Sequence, residues 1–140
     1  MRLNTLSPIV LTKQVARAMM VGGGASEAGG RIVNISSIAS IIGFSVLAVY
    51  GASKASLIGF TKSLAREVGP VGLTVNAAAP GFVDTAMTDA GAQRDQIVRR
   101  SSRKRLAAAD DVANAVAFLI SDEARNVTGI MLTVDVGSTA

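Results

Sequence analysis

Tyr50 and Lys54 stand four residues apart in Tyr50-Gly-Ala-Ser-Lys54, and Ser37 precedes them in Asn34-Ile-Ser-Ser37. A free phenol titrates near pKa ~10 and exchanges protons poorly at neutral pH, but an ammonium held beside it favours the phenolate. Lys54 can supply that charge, because on a helix over 50–68 positions i and i+4 share a face. The hydroxyl of Ser37, at the end of an apolar strand, can hydrogen-bond the oxygen of a reacting carbonyl or alcohol. A tyrosine that gives or takes a proton while a serine holds the oxygen suits carbonyl reduction or alcohol oxidation. Taken singly, the pair reads as an aromatic at a helix start beside a solvated charge. The neighbouring segments argue otherwise.

The elements that must position these groups follow from the hydrophobic pattern. A first helix is expected from near Asn4 to Met20, with Leu6, Ile9, Val10, Val15, Ala18 and Met19 supplying its apolar surface. Pro8 has no N–H, so a helix passing through it deprives the Asn4 carbonyl of its i+4 donor and is expected to bend. The glycine cluster Gly22 to Gly30 fits no phosphate-loop spacing and follows a helix instead of a strand, so it reads as a flexible linker. Strands are expected at Ile32–Ser36, Leu73–Ala78 and Ile130–Val134. Between them lie a helix from Tyr50 to Val68 and another that Asp110 or Asp111 caps, ending near Ser121. The polar stretch from Met87 to Leu106 is expected to be a loop with one or two short helices, where a substrate lid would sit. Strand-helix alternation implies parallel strands and a doubly wound α/β sheet in a single domain over 1–140. Ligands of such sheets lie beyond the carboxyl ends of the strands, where Ser37 and Pro80-Gly81 fall.

Composition removes several alternatives. The 140 residues include no cysteine and no histidine, so a disulfide framework, a thiol nucleophile and the commonest metal ligand are excluded, and no metal site is expected. Proton transfer must fall to Tyr, Lys, Asp or Glu. No signal-peptide apolar core forms at the N-terminus, which makes the cytoplasm the expected location. Residues 32–53 carry no charge and are numerous enough to cross a bilayer, but Asn34, several serines and Gly43 interrupt them. They read as a strand buried on both faces and a segment feeding a helix. The formal charge of +4 concentrates at Arg94, Arg99, Arg100, Arg103, Lys104 and Arg105. No aromatic residue is interleaved for base stacking, so nucleic acid is not the expected partner. A solvated face or a surface for an anionic substrate or carrier remains.

With Asn4, Arg31-Ile-Val-Asn-Ile-Ser-Ser37, Tyr50-Gly-Ala-Ser-Lys54, Ala65-Arg-Glu67, Thr74-Val-Asn76, Pro80-Gly-Phe-Val-Asp-Thr85, Thr128-Gly129 and Val134-Asp-Val-Gly137 in order, the chain resembles the short-chain dehydrogenase/reductase family. The 3-oxoacyl-acyl-carrier-protein reductases are the nearest in pattern. The resemblance implies the C-terminal part of a Rossmann-like, three-layer α/β/α fold and an NAD(P)-dependent oxidoreductase acting on a small carbonyl or alcohol substrate, anionic or carrier-linked. It implies that Tyr50 is the acid/base, that Lys54 lowers its pKa and contacts the nicotinamide ribose, that Ser37 orients the substrate oxygen, and that Asn4 anchors a proton-relay water. Pro80, Gly81, Val83 and Thr85 match the segment that holds the nicotinamide, with Tyr50 and Lys54 completing the cofactor site; NAD and NADP are not distinguished.

The resemblance also implies that the family's N-terminal βαβ units, about 100 residues of a dinucleotide-binding fold with its glycine-rich phosphate turn, have no counterpart here. A lone chain is then expected to be impaired, with an open sheet edge. The alternative is a non-catalytic remnant whose helices from Asn4 and Tyr50 form a homo-oligomeric surface, as they do in family dimers and tetramers. Small residues at Gly51, Ala52, Ser53, Ala55 and Gly59 would permit close helix packing in either case.

Overall fold

Strand β1 (Arg31–Ile35) and strand β2 (Thr74–Pro80) pair in parallel, from Arg31 opposite Thr74 to Ile35 opposite Ala78. Strand β3 (Met131–Val134) joins the other side of β2, so the order is β1-β2-β3. This is a computed structural model, and it describes residues 1–22, 29–86, 88 and 91–140. Each strand begins within one residue of its expected start. The glycine cluster falls mostly outside the described residues, as do Met87, Asp89 and Ala90 of the expected lid.

Helix α2 (Ala48–Val68) makes the crossover from β1 to β2, and α3 (Gly91–Arg100) and α4 (Ala109–Ile120) lie between β2 and β3. Alternation along a strand sends neighbouring side chains to opposite faces. Ile32 packs in one core with Ala16, Ala65, Val68 and Val75, under α2 and the helix α1 (Ser7–Gly22). Arg31, one residue earlier, points to the other face and pairs with Asp122 at the end of α4. The result is helix, sheet, helix, the three-layer arrangement the alternation predicts.

β2 is central, and Val75 to Ala79 have no solvent exposure at all apart from the edges of the strand. Three alanines in a row, Ala77, Ala78 and Ala79, let both helical layers approach it. Leu57 on α2 and Leu119 on α4 plug the two interfaces and are fully buried; each contributes about 1.5–3 kcal/mol by burial. Asn34 and Asn76 are buried polar residues with partners. Asn34 Nδ2 donates to Thr61 Oγ1 at 2.9 Å, tying β1 to α2. Asn76 Nδ2 donates to the Val127 carbonyl at 2.8 Å, and Thr128 Oγ1 accepts from the Val75 N–H at 3.1 Å. The Thr74-Val-Asn76 and Thr128-Gly129 motifs are thus two halves of one clasp that seats β3 beside β2.

Three local outcomes differ from the sequence pattern. The departure from regular helix expected around Pro8 takes the form of a π-helical turn over Arg2–Leu6, directly ahead of α1. The N-cap of α4 is Ala108, not an aspartate; Asp111 acts from within the first turn, accepting from the Ala108 N–H at 2.9 Å and from Arg105 at 2.8 Å. Gly51 and Ser53 do not present a free small-residue face. Ser53 is buried, and a Cβ on Gly51 would lie 2.7 Å from the Ala39 carbonyl oxygen, so both are used inside the chain. Among the described residues, no helix is long and apolar enough to cross a membrane.

Candidate functional site

Ser37 comes two residues after the end of β1 and caps a short 3-10 turn at Ile38–Ser40. Its Oγ accepts from the Ala39 N–H at 3.2 Å, and Ser40 donates its hydroxyl to the Ser37 carbonyl. These bonds fix the turn that presents the serine. Ser36, pointing the other way, donates to the Lys54 carbonyl at 2.9 Å and so fastens α2 to the end of β1. Tyr50 lies in the first turn of α2, 38% exposed, and its carbonyl accepts from Ser53 Oγ at 2.6 Å.

Ser37 and Tyr50 line one hollow of about 560 Å³. Its far wall is the segment after β2, with Gly81, Val83 and Thr85, and its rim carries Phe44, Leu47 and Ile97. The segment is held rigidly by its own backbone. Gly81 N–H donates to the Val134 carbonyl at 3.0 Å, Asp84 N–H to Ala107 at 2.8 Å, and Ala107 N–H to Phe82 at 3.2 Å. Thr88 Oγ1 accepts from the Thr85 N–H at 3.0 Å and donates to the Val83 carbonyl. Gly81 is required by proximity, because a Cβ there would come within 2.6 Å of Asp135 Cβ. Pro80, the last residue of β2, does not line the hollow; it ends the strand and sets the turn into Gly81.

Lys54 is on the same side of α2 as Tyr50, its Nζ 5.9 Å from the ring centroid. Its hydrogen bond is made elsewhere: Nζ donates to the Ile35 carbonyl at 2.9 Å. Partial burial lowers the pKa of this amine from its ordinary value. Lys54 and Asn4 share a second hollow of about 590 Å³ along β1, so the four expected catalytic residues divide into two pairs, Ser37 with Tyr50 and Asn4 with Lys54, and α2 bridges them. Asn4 is brought there because Thr5 in the π-helical turn donates to the Ser53 carbonyl at 3.2 Å and accepts from Ser56 at the same distance.

Several residues of the first hollow carry no signal in the sequence. Phe44 and Phe82 meet edge to face, 5.6 Å apart, and brace the loop before α2 against the segment after β2. In the chain they are isolated aromatics in two separate loops. The basic stretch is partly paired: Arg94 grips Asp84 through two bonds of 2.7 and 2.8 Å, and Arg105 grips Asp111. Arg99, Arg100, Arg103 and Lys104 are exposed, and Arg99 and Arg100 share α3 with Ile97 of the hollow. Among the described residues no group of acidic side chains is arranged to hold a metal ion.

A family model described as enoyl-(acyl carrier protein) reductase matches residues 1–139. The chain is 48% identical over 136 residues to the 3-oxoacyl-[acyl-carrier-protein] reductase FabG of Escherichia coli K12, covering 96% of this chain and 54% of that protein. Among solved structures it is similar to 4-hydroxyisoleucine dehydrogenase complexed with NADH and succinate, with a TM-score of 0.89 at 33% identity, over 98% of this chain and 56% of that one. It is also similar to ElxO with NADP bound, with a TM-score of 0.86 at 30% identity, over 97% of this chain and 55% of that one. The chain spans about half the length of the curated relatives it matches.

Proposed function

Because the chain belongs to the short-chain dehydrogenase/reductase family, close to the 3-oxoacyl-acyl-carrier-protein reductases, we propose that it carries the proton-transfer half of a carbonyl reductase or alcohol dehydrogenase. The observation that carries this reading is the shared hollow of Ser37 and Tyr50, walled by Gly81, Val83 and Thr85. A volume of about 560 Å³ with an apolar lining and a few polar groups suits a small carbonyl compound and the end of a flat ring.

Ser37 donates its hydroxyl to the substrate oxygen, and Tyr50 passes its phenolic proton to the same oxygen as the carbonyl becomes an alcohol; oxidation runs the two steps in reverse. A nicotinamide, NAD or NADP, supplies the hydride when bound. Gly81, Val83 and Thr85 would hold the nicotinamide through their backbone, and Tyr50 and Lys54 would contact its ribose. Asn4 stands beside Lys54 to order water for reprotonation of the phenolate. The exposed cations Arg99, Arg100, Arg103 and Lys104 favour an anionic or carrier-linked substrate. The proposed location is the cytoplasm.

The test replaces the matched segment of the E. coli relative with residues 1–139 and measures NADPH-dependent reduction of a 3-oxoacyl thioester. Tyr50→Phe should lower kcat by about 10²–10⁴ with cofactor affinity retained. An undiminished rate would sink the assignment. A second reading, self-association, is favoured by exposed Val10 and Val49 at 51% and 68%; a monomer in sedimentation would remove it.

A further inference from the structure

The motif Val134-Asp-Val-Gly137 has no part in the proton transfer, yet it holds the one buried carboxylate among the described residues: Asp135 is 8% exposed. No ion pair among those residues reaches it. A charge taken out of water needs hydrogen bonds or a counter-ion, and this one is met by its own turn. Oδ1 accepts from the Gly137 N–H at 3.1 Å, and Oδ2 accepts from the Thr139 N–H at 2.9 Å and from the Thr139 hydroxyl at 2.6 Å. A carboxylate accepts on both of its terminal atoms, whereas an amide would set an NH2 group against one of the two N–H donors.

The turn folded in this way is strained. Val136 has a φ of 53° and Gly137 one of 76°, two left-handed residues in succession, and a β-branched side chain is disfavoured there. Such a backbone persists only where surrounding bonds over-determine it. In this conformation the carbonyls of Val136 and Gly137 meet the residues that follow α3. Arg103 N–H donates to Val136 at 3.2 Å, and Ser102 donates to Gly137 through its N–H at 3.3 Å and through its hydroxyl at 2.9 Å. The fit is close, since a Cβ on Gly137 would lie 2.6 Å from Ser102 Oγ. On its other side Asp135 backs the first hollow, where a Cβ on Gly81 would lie 2.6 Å from that of Asp135. Ile97, which lines the same hollow, belongs to α3, and its carbonyl accepts from the Ser101 N–H at 3.1 Å.

We propose that Asp135 is a positioning residue: by folding the turn over 135–139 it holds the end of α3, and with it Ile97, at a fixed distance from Gly81. It thereby sets how tightly the hollow grips the part of the substrate beyond the carbonyl. The proposal rests on the reading of that hollow as the substrate site. The wall opposite does not depend on the carboxylate, because Gly81 N–H is bonded to the Val134 carbonyl at 3.0 Å and Asp84 and Ala107 hold the residues that follow. Arg94 keeps the earlier part of α3 on Asp84, so release at Ser102 lets the helix pivot without unfolding. Loss of the carboxylate therefore loosens the substrate and leaves the chemical step alone.

The test places Asp135→Asn both in the hybrid of the E. coli relative that carries residues 1–139 and in the chain by itself. In the hybrid, the KM for the 3-oxoacyl thioester should rise at least about tenfold, with kcat and the KM for NADPH staying within about threefold. In the chain, amide exchange at Ser102 and Arg103 should quicken at least about tenfold, while that at Gly81 stays as it was. Val136→Gly makes the left-handed turn accessible without the carboxylate, so in the Asp135→Asn background it should bring both values back toward the unaltered ones. Ser102→Ala removes one of the three bonds from the α3 side; it should raise the thioester KM in the same direction and serves if Asp135→Asn fails to fold. An unchanged thioester KM with a fallen kcat overturns the positioning role, and so does unchanged exchange at Ser102 and Arg103. Failure of Val136→Gly to restore either value overturns the route through the turn. A hybrid without turnover even when unaltered refutes the catalytic reading, and the exchange result then supports or overturns the hold on α3 by itself.

Discussion

The α-carbon of Gly51 faces the carbonyl oxygen of Ala39 so closely that an added Cβ would stand 2.7 Å from it. Gly51 is one residue after Tyr50, and Ala39 two residues after Ser37, so this contact sets how near the two proposed catalytic hydroxyls can come. Gly51→Ala must push the 3-10 turn off α2. We expect a loss of about 1–3 kcal/mol in urea denaturation. Gly59, eight residues along the same helix, has nothing within 4 Å of an added Cβ; Gly59→Ala is expected to gain up to about 1 kcal/mol from helix propensity. Equal responses at the two sites would contradict the packing described.

Val46 sits in the loop between the 3-10 turn and α2 with a φ of 61° and is 98% exposed. A β-branched residue in the left-handed region is strained, and nothing buried compensates it here. Val46→Asn is expected to raise stability by about 1 kcal/mol, read as a higher thermal midpoint. An unchanged midpoint would mean that the turn relaxes without cost.

The Asp84 carboxyl is held below its ordinary value of 3.8, first by its hydrogen bonds from Arg94. A carboxylate with a depressed folded pKa binds fewer protons folded than unfolded at pH near 3.8 and just below it. Its stabilising contribution is therefore present above that pH and lost as pH falls through the lower folded value. The pair is exposed, so the contribution is small and salt weakens it. A carbon-detected titration should give Asp84 a midpoint below 3.8, rising toward it in Arg94→Gln. A midpoint at the ordinary value in the unaltered chain would refute the pairing.

Strand positions, the crossover helix and the parallel order were legible because buried parallel strands have uninterrupted apolar runs and glycine or proline punctuates their ends. Ser37, Tyr50, Gly81, Val83 and Thr85 converge for the same reason: each follows a strand end or opens the crossover helix. Other features depend on contacts that spacing does not encode. The i, i+4 relation of Tyr50 and Lys54 specifies a shared face but not a rotamer, and the nearest acceptor for the ammonium is the Ile35 carbonyl. The close packing that Gly51 permits is used against Ala39, a residue of the 3-10 turn that nothing in the spacing brings to it. Phe44 and Phe82 meet only once β1 and β2 have brought their following loops together.

The pairing of Arg31–Ile35 with Thr74–Ala78 also governs how the molecule comes into being. Parallel neighbours cannot zip from a hairpin, so the chain must first fold back through the whole of α2 and bear the entropy of that closure before any ladder bond rewards it. Ser37 and Gly81 are carried by the two ends of this one late pairing. An early collapsed form therefore has helices but not the hollow between Ser37 and Gly81, and a slow search with bare strand edges invites neighbouring molecules to join first. Refolding yield should fall with protein concentration more steeply than the native sheet's own stability would suggest.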